Sequence, residues 1–207
     1  MNAVALTEKL FTVAEYIEFE EQSDIRHEFH YGRLLPMAAG TSNKHNRVKQ
    51  NVVYALRGHF LPRGCVIFDE NLKLRIIENG KYNYPDVMLT CDPQDLDAEF
   101  IIKNPSLVVE VLSKSTARYD RTDKFDDFQK VPSIQYYLLV ESRWQSVSLY
   151  SRTDNPRLWT YQIFKEPTDI VSFPKLNFEL SLQTIYQYID VPQFATIPNI
   201  GDDNEDD

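Results

Sequence analysis

The sequence has little cysteine and no long apolar stretch, and both absences narrow the class of protein. Cys65 and Cys91 are the only cysteines among 207 residues, and they have neither the spacing of a metal site nor that of a disulfide framework. No apolar run approaches the ~20 residues that a membrane-spanning helix requires. The opening MNAVALTEKLFTVAEY lacks the basic start and apolar stretch of a signal peptide. We therefore expect a cytoplasmic protein without a membrane partner.

An excess of basic charge is also lacking, which at first argues against a nucleic-acid partner. The formal net charge is −9, whereas phosphate binding depends on lysine and arginine. The final GDDNEDD supplies five of the acidic residues and leaves −4 for the remaining chain. We expect an acidic, disordered tail over 193–207 behind a single domain over 1–192. Basic residues crowd 44–63 and 103–124, which indicates either solvated helix faces or a phosphate groove.

Local patterns predict an α/β (α+β) domain in which helices flank a mixed β-sheet. Thr12 and Glu15 form a capping box ahead of a helix over about 13–21. Ser42 caps a longer helix over about 43–60, whose apolar residues recur at helical spacing. Extended patterns predict strands in IRHEFHYGRLLPMA, CVIFDENLKLRII, YNYPDVMLT, LVVEVLS, IQYYLLV, VSLYSR, LWTYQIF and DIVSF.

The connections between these segments determine the expected topology. The turn ENGK at 78–81 joins CVIFDENLKLRII and YNYPDVMLT into a hairpin. A helix over about 120–130, capped by Asp120, connects LVVEVLS with IQYYLLV and predicts that these two strands are parallel. Ser181 caps a closing helix near 180–189.

A carboxylate interrupts the apolar strand in PSLVVEVLSKST. Glu110 stands between valines, and a buried ionised carboxylate is destabilising unless a cation, a metal or protonation compensates it. Asp86 follows Pro85 in another half-apolar segment, and the proline indicates a sheet edge or a bulge there. Two carboxylates on neighbouring strands suit Mg²⁺, which prefers oxygen ligands. The alternative is that both acids pair with structural arginines.

The next helix contributes a third group of charged residues, which are Asp120, Asp123 and Lys124. A lysine beside two metal-binding acids could orient a water molecule and help to deprotonate it. The same lysine could offset the charge that develops on a phosphate.

The ordered set of motifs resembles a known nuclease family. It comprises PDV, LVVEVLSKST and DRTDKFDDFQKVPSIQYYLLVE, preceded by FTVAEYIEFEEQS, RHEFHYGRLLPMA and SNKHNRVKQNVVYAL. Over about residues 10–190 the chain resembles the Uma2 family of restriction endonuclease-like proteins, within the PD-(D/E)XK nuclease superfamily. The resemblance implies a restriction-endonuclease-like central mixed β-sheet flanked by helices. It also implies that Asp86 and Glu110 are metal ligands and that the ancestral chemistry is phosphodiester hydrolysis.

The sequence departs from the superfamily pattern at the lysine. That residue is expected two positions after the strand acid, where this chain has Leu112. Lys114 would lie ~13 Å beyond Glu110 along a continuing strand, at ~3.3 Å per residue. Lys124 comes from the following helix and can point back to the site, and the family usually carries a lysine at this helical position. We therefore favour Lys124, with a solvated helix lysine as the alternative.

Two further residues are candidates for the site. The family has a glutamate that matches Glu28, which could bind a second metal or hold a metal-bound water; pairing with Arg26 or Arg33 is the alternative. His45, in the first turn of the long helix, could contact phosphate, or it could be a capping or surface residue.

These observations combine into one functional prediction with a rival. We predict a Mg²⁺- or Mn²⁺-dependent endonuclease in which Asp86, Glu110 and the Val111 carbonyl hold the metal. Lys124 and Glu28 assist catalysis, and the substrate contacts come from the two residues His45 and Lys114. DNA is the expected substrate rather than RNA, and a homodimer would suit cleavage of both strands. The rival is a nuclease-fold binding or regulatory module that does not cut.

Overall fold

The structure is a computed structural model that describes residues 9–37, 40–155 and 157–194. Within these ranges the helices are α1 (Val13–Gln22), α2 (Asn43–Phe60), α3 (Pro93–Leu96), α4 (Ala117–Arg121), α5 (Asp123–Phe128) and α6 (Leu182–Ile185). The strands are β1 (His27–His30), β2 (Arg33–Pro36), β3 (Val66–Asp69), β4 (Lys73–Ile77), β5 (Lys81–Asn83), β6 (Val87–Thr90), β7 (Ile101–Ile102), β8 (Leu107–Leu112), β9 (Tyr136–Glu141), β10 (Val147–Arg152), β11 (Trp159–Phe164), β12 (Ile170–Phe173) and β13 (Phe178–Ser181). The predicted acidic tail lies outside the described residues from 195 onward.

The main sheet has six strands in the order β11-β10-β9-β8-β6-β3. Strands β8 and β9 are parallel, as the helical crossover between them predicts, and the other neighbours in this sheet are antiparallel. Every residue of these two central strands is buried. The predicted fold class, a mixed sheet flanked by helices, is confirmed.

Helices cover both faces of this sheet. Val48, Val52 and Leu56 of α2 are fully buried and pack in one apolar cluster with strand residues such as Val109. On the opposite face, Phe128 of α5 packs with a second cluster. Because side chains alternate along a strand, Glu110 shares the α5 face with Val108 and Leu112, which both belong to that second cluster.

A second sheet of five strands has the order β2-β1-β5-β4-β7, and β12 and β13 form a separate antiparallel pair. The hairpin of β4 and β5 around the 78–81 turn is confirmed. The single strand predicted over 65–77 is wrong, because β3 and β4 belong to different sheets. Asp69 Oδ1 accepts hydrogen bonds from the backbone N–H and the side-chain amide of Asn71, which forms a turn between them. Likewise, the segment 82–90 divides around Pro85 into β5 and β6.

The helix caps were predicted more accurately than the helix lengths. Thr12 and Glu15 form the expected capping box, and the hydroxyls of Ser42 and Ser181 cap α2 and α6. The helix predicted over 120–130 is instead α4 followed by α5, with a break at Thr122. Asp120 is therefore a buried residue inside α4 and not a cap. The closing helix predicted near 180–189 is restricted to the short α6.

The two cysteines form a disulfide bond, which the sequence did not predict. Val66 of β3 is directly opposite Thr90 of β6 in an antiparallel ladder, and one step further this register brings Cys65 opposite Cys91. The bonded pair therefore gives no support to the predicted cytoplasmic location, because disulfide bonds are rare in the cytosol. None of the described helices combines the length and the apolar character that crossing a membrane requires.

Candidate functional site

Asp86 and Glu110 lie side by side where β6 begins next to β8. The Val111 backbone N–H donates a 2.7 Å hydrogen bond to Asp86 Oδ2, and the Asp86 N–H donates to Glu110 Oε2 at 3.4 Å. Pro85, which cannot donate to a strand ladder, precedes Asp86 and ends the pairing of β5. The chain thereby turns the Asp86 carboxylate toward β8.

Lys124 reaches this pair from α5. Its Nζ lies 2.7 Å from Glu110 Oε1 and 3.2 Å from Asp120 Oδ1, which is four residues earlier in the neighbouring α4. All three side chains are buried. The Tyr137 hydroxyl on β9 donates to the Asp120 backbone carbonyl at 2.9 Å and holds α4 against the sheet. The structure thus brings Lys124 to the carboxylates from the helix that covers the Glu110 face.

Burial and neighbouring charges, which are negative in excess, shift the pKa values in this cluster. Burial raises the pKa of Glu110 well above its usual range, and the charges of Asp86 and Asp120 add to this increase, while Lys124 opposes it. The pKa of Asp120 is raised as well, mainly by burial. Burial alone would lower the pKa of Lys124, but Glu110, Asp120 and Glu28 raise it well above its usual range. Both partners of the buried pair therefore retain protons more strongly than they would in water.

Asp86 differs from Glu110 because a histidine, a lysine and a backbone N–H lie around it. Burial raises its pKa, but His45, Lys124 and the Val111 N–H together bring it below its ordinary value. His45 lies in the first turn of α2 and is buried, and its Nε2 is 3.4 Å from Asp86 Oδ1. The structure thus places His45 beside a predicted metal ligand rather than on the surface.

Glu28 lies on β1, in a second part of the same polar region. The Tyr119 hydroxyl of α4 donates to Glu28 Oε2 at 2.9 Å, and His30 Nε2 lies 3.4 Å from the same oxygen. Burial would raise the pKa of Glu28, but His30, Lys124 and Tyr119 lower it below the ordinary value. Glu28 therefore remains a charged carboxylate whose electrostatic partners include Lys124.

Lys114 is not brought to these carboxylates. Strand β8 ends at Leu112, and Lys114 is exposed in the following turn. Among the described residues, no hydrogen bond or ion pair joins it to Asp86, Glu110 or Glu28. Leu112, which occupies the expected lysine position, is buried in the apolar cluster under α5.

Sequence reasoning missed the roles of Asp120 and Tyr119. Asp120 and Lys124 are four residues apart, which places them on the same side of a continuous helix, and this spacing could have indicated their pairing. Tyr119 gave no comparable signal, because its contact with Glu28 joins residues that are 91 positions apart.

The donor set fits a divalent cation that is held by few protein ligands. In the described ranges, no group of three histidine, cysteine, aspartate or glutamate side chains is arranged to hold a metal. Mg²⁺ is commonly bound by one or two carboxylates together with water and substrate phosphate. Asp86 and Glu110 meet that requirement, because each is an oxygen ligand and Glu110 lies where negative charge is in excess.

The comparisons with known proteins agree with the fold. The Uma2 family, described as "Putative restriction endonuclease", matches residues 13–184, and the chain belongs to this family. A crystal structure of "a putative nuclease belonging to DUF820" from Anabaena variabilis ATCC 29413 has a TM-score of 0.68 at 18% identity and covers 85% of this chain and 97% of that chain. This likeness shows a shared fold.

Two relatives come from Synechocystis sp. (strain ATCC 27184 / PCC 6803 / Kazusa). "Uncharacterized protein sll1609" is 34% identical over 84% of this chain and 99% of its own length. "Uncharacterized protein slr1290" is 37% identical over 84% of this chain and 90% of its own length. The resemblance noted from the sequence motifs is therefore confirmed at the level of the family.

Proposed function

We propose that this chain is a metal-dependent endonuclease that hydrolyses phosphodiester bonds, with DNA as the preferred substrate. The observation that supports this proposal is the convergence of Asp86, Glu110 and Lys124 at the junction of β6, β8 and α5. The Lys124–Glu110 distance of 2.7 Å places a cation beside a buried acid whose pKa is raised. Membership of the Uma2 family is consistent with this chemistry.

Each residue has a defined part in the proposed reaction. Asp86 and Glu110, with the Val111 carbonyl, would hold Mg²⁺ or Mn²⁺. When bound, the ion supplies a Lewis acid and lowers the pKa of a coordinated water. Lys124 retains its proton, orients the attacking water and offsets charge on the phosphate. Glu28 remains ionised and holds a second water on the same side as Lys124.

A nuclease-fold module that does not cut is the second candidate. Lys124 already pairs with Glu110, and Asp86 accepts the Val111 N–H and lies 3.4 Å from His45 Nε2, so both acids have partners within the protein. Such an arrangement would stabilise a binding domain just as well. The two candidates differ in whether a metal enables cleavage.

Cleavage of plasmid DNA with and without Mg²⁺ or Mn²⁺ separates the candidates. We expect nicking or linearisation that requires a metal and falls by at least about 100-fold in Asp86→Asn and Glu110→Gln, because each loses a charged ligand. Glu179→Gln, on the remote strand β13, serves as the control. Cleavage that persists in both site variants would overturn the site assignment. If no metal supports cleavage and calorimetry detects no metal binding, the non-cutting module is correct.

A homodimer is part of the same proposal. Two copies related by a two-fold axis would place one active centre on each strand of a duplex. Sedimentation with and without duplex DNA tests this part of the proposal independently of cleavage.

A further inference from the structure

Helix α2 begins with an unusual charge pattern. Its first turn contains no acidic residue and instead carries Lys44 and His45. Acidic side chains are normally favoured at a helix N-terminus, because the aligned peptide dipoles place partial positive charge there. The first turn of this 18-residue helix therefore places a lysine ammonium, with a histidine next to it, at an end that is already positive.

Backbone N–H groups at this end of α2 also lack hydrogen-bond acceptors among the described residues. The first N–H groups of an α-helix lack partners within the helix. The Ser42 hydroxyl accepts the N–H of His45 at 3.1 Å, and no described hydrogen bond uses the N–H of Asn43 or Lys44. Residues 41–44 are exposed, so these donors are open to a ligand.

The His45 ring provides a second, independent observation. Only 6% of this residue is exposed, yet neither ring nitrogen makes a hydrogen bond within the described part of the chain. The 3.4 Å approach of Nε2 to Asp86 Oδ1 is an ion-pair distance without hydrogen-bond geometry. Nε2 still has the Asp86 carboxylate as a neighbour, whereas Nδ1 has no polar partner among the described residues. A buried polar atom without a hydrogen bond requires an explanation, and the position of His45 in the first turn of α2 points to a ligand at this end of the helix.

Lys44 differs from the next two basic residues along α2. Arg47 donates to the Tyr188 carbonyl and Lys49 pairs with Glu70, so both are engaged within the protein. The ammonium of Lys44 is exposed and has no ion pair among the described residues. One cation at this end of α2 is thus available to an external anion.

We propose that the α2 N-terminus binds a backbone phosphate of the nucleic-acid substrate. The ligand is a phosphodiester oxyanion, held by the N–H groups of Asn43 and Lys44, the Lys44 ammonium and the His45 ring. This inference rests on the proposed nuclease function and deepens it, since the proposed phosphate site lies next to Asp86. A phosphate bound there would present the substrate strand to the carboxylates.

Two charge reversals on the same helix test this inference. Lys44→Glu places an acid at the α2 N-terminus, and Arg57→Glu makes the same change in the exposed last turn. We expect Lys44→Glu to weaken binding of a labelled duplex at least fivefold in EDTA, and to reduce the salt slope by about 0.9 for one lost phosphate contact. We expect less than a twofold change in binding for Arg57→Glu.

Thermal unfolding distinguishes binding from folding. An acid in the first turn favours a helix, so Lys44→Glu should unfold at the same temperature as wild type or higher. His45→Asn, measured alongside, should also weaken binding while the protein remains folded. Equal losses in both charge-reversal variants, or no loss in Lys44→Glu, would overturn the inference. Wild-type protein that binds inorganic phosphate but not the duplex would overturn it as well.

The outcome is separable from that of the proposed function. Binding in EDTA needs no cleavage, so a protein that never cuts can still show the loss in Lys44→Glu. Conversely, the protein could cleave with a metal and depend on Asp86 while Lys44→Glu binds the duplex as tightly as wild type. That result would contradict the phosphate site and leave the proposed function intact.

Discussion

Lys124 Nζ and Glu110 Oε1 are 2.7 Å apart in a buried site, although the residues belong to different elements. Glu110 belongs to the central strand β8, and Lys124 belongs to α5, which covers that face of the sheet. Leu112, on the same face as Glu110, is packed in the apolar core. In the proposed nuclease site the cation therefore comes from the helix, while the residue at the strand position, Leu112, packs in the core.

Removal of Lys124 should destabilise the protein strongly. Lys124→Met leaves Glu110 and Asp120 buried without their cation, and breaking a buried pair typically costs about 3–5 kcal/mol. Urea unfolding at neutral pH measures this loss. The matched control is Lys130→Met, because Lys130 is an exposed lysine that pairs with Asp127 at 2.8 Å. Equal losses in the free energy of unfolding of both variants would show that the buried Lys124–Glu110 pair stabilises the fold no more than an exposed pair does.

Stability should decrease as pH rises above the ordinary carboxyl range. The folded protein holds the proton of Glu110 more tightly than the unfolded chain does, because its pKa is raised from 4.5. The free energy of unfolding therefore falls as pH rises from about 4.5 toward the folded pKa. Asp120 contributes in the same direction from 3.8 upward. Asp86 has a lowered pKa and acts oppositely, but only below about 3.8.

Glu110→Gln isolates the contribution of this carboxyl to the pH dependence. Urea unfolding from about pH 5 to about pH 8 should show a negative slope for wild type and a shallower one for the variant. Identical slopes would mean that Glu110 titrates normally in the folded protein.

A divalent cation should stabilise the folded protein through Asp86 and Glu110. A ligand at 100 times its dissociation constant adds about 2.7 kcal/mol, so Mn²⁺ should raise the melting temperature of wild type. Affinity should increase with pH, because the metal requires Glu110 without its proton. Asp86→Asn should abolish the shift, and Glu179→Gln should retain it. An equal shift in Asp86→Asn would place the metal elsewhere.

Reduction of the disulfide should lower stability. The bond between Cys65 and Cys91 closes a loop with a sequence separation of 26 residues, and chain-entropy arguments assign about 3.5 kcal/mol to such a cross-link. Melting curves with and without a reductant measure this loss. Cys65→Ser combined with Cys91→Ser should melt like the reduced protein and should not respond to the reductant. A wild-type protein unaffected by reduction would contradict the prediction.

Local features of the fold could be predicted from the sequence, whereas long-range register could not. The Thr12 cap depends on neighbours a few residues away, and the crossover between β8 and β9 follows from a general rule of handedness. The Cys65–Cys91 bond depends on the pairing of β3 with β6, which no local pattern specifies. Aspartate favours helix caps, which is why the local pattern predicts a cap at Asp120, whereas the packing of α4 on the sheet buries this residue inside the helix.

The same distinction applies to the candidate site. Asp86 and Glu110 stand out in the sequence because each interrupts an extended, partly apolar segment. In the sequence, Lys124 stands out mainly through the family resemblance, and its place beside Glu110 follows from the packing of α5 on the Glu110 face. The hydrogen bond of Tyr119 to Glu28 required tertiary structure, because it connects α4 with a strand of the other sheet.

Tyr119→Phe should change the chemistry of Glu28 with little effect on the fold. The variant loses the 2.9 Å hydrogen bond to Glu28 Oε2, one of the interactions that lower the pKa of this carboxyl. We expect the pKa of Glu28 to rise and stability to fall by about 1.5–3 kcal/mol, the range for hydrogen bonds to charged groups. Carboxyl NMR titration of wild type and variant measures the shift. Tyr161→Phe is the control, because that hydroxyl contacts the neutral Ser148 at 3.2 Å. If Glu28 titrates identically in all three proteins, Tyr119 does not maintain its charge. Metal-dependent cleavage should fall several-fold in Tyr119→Phe alone.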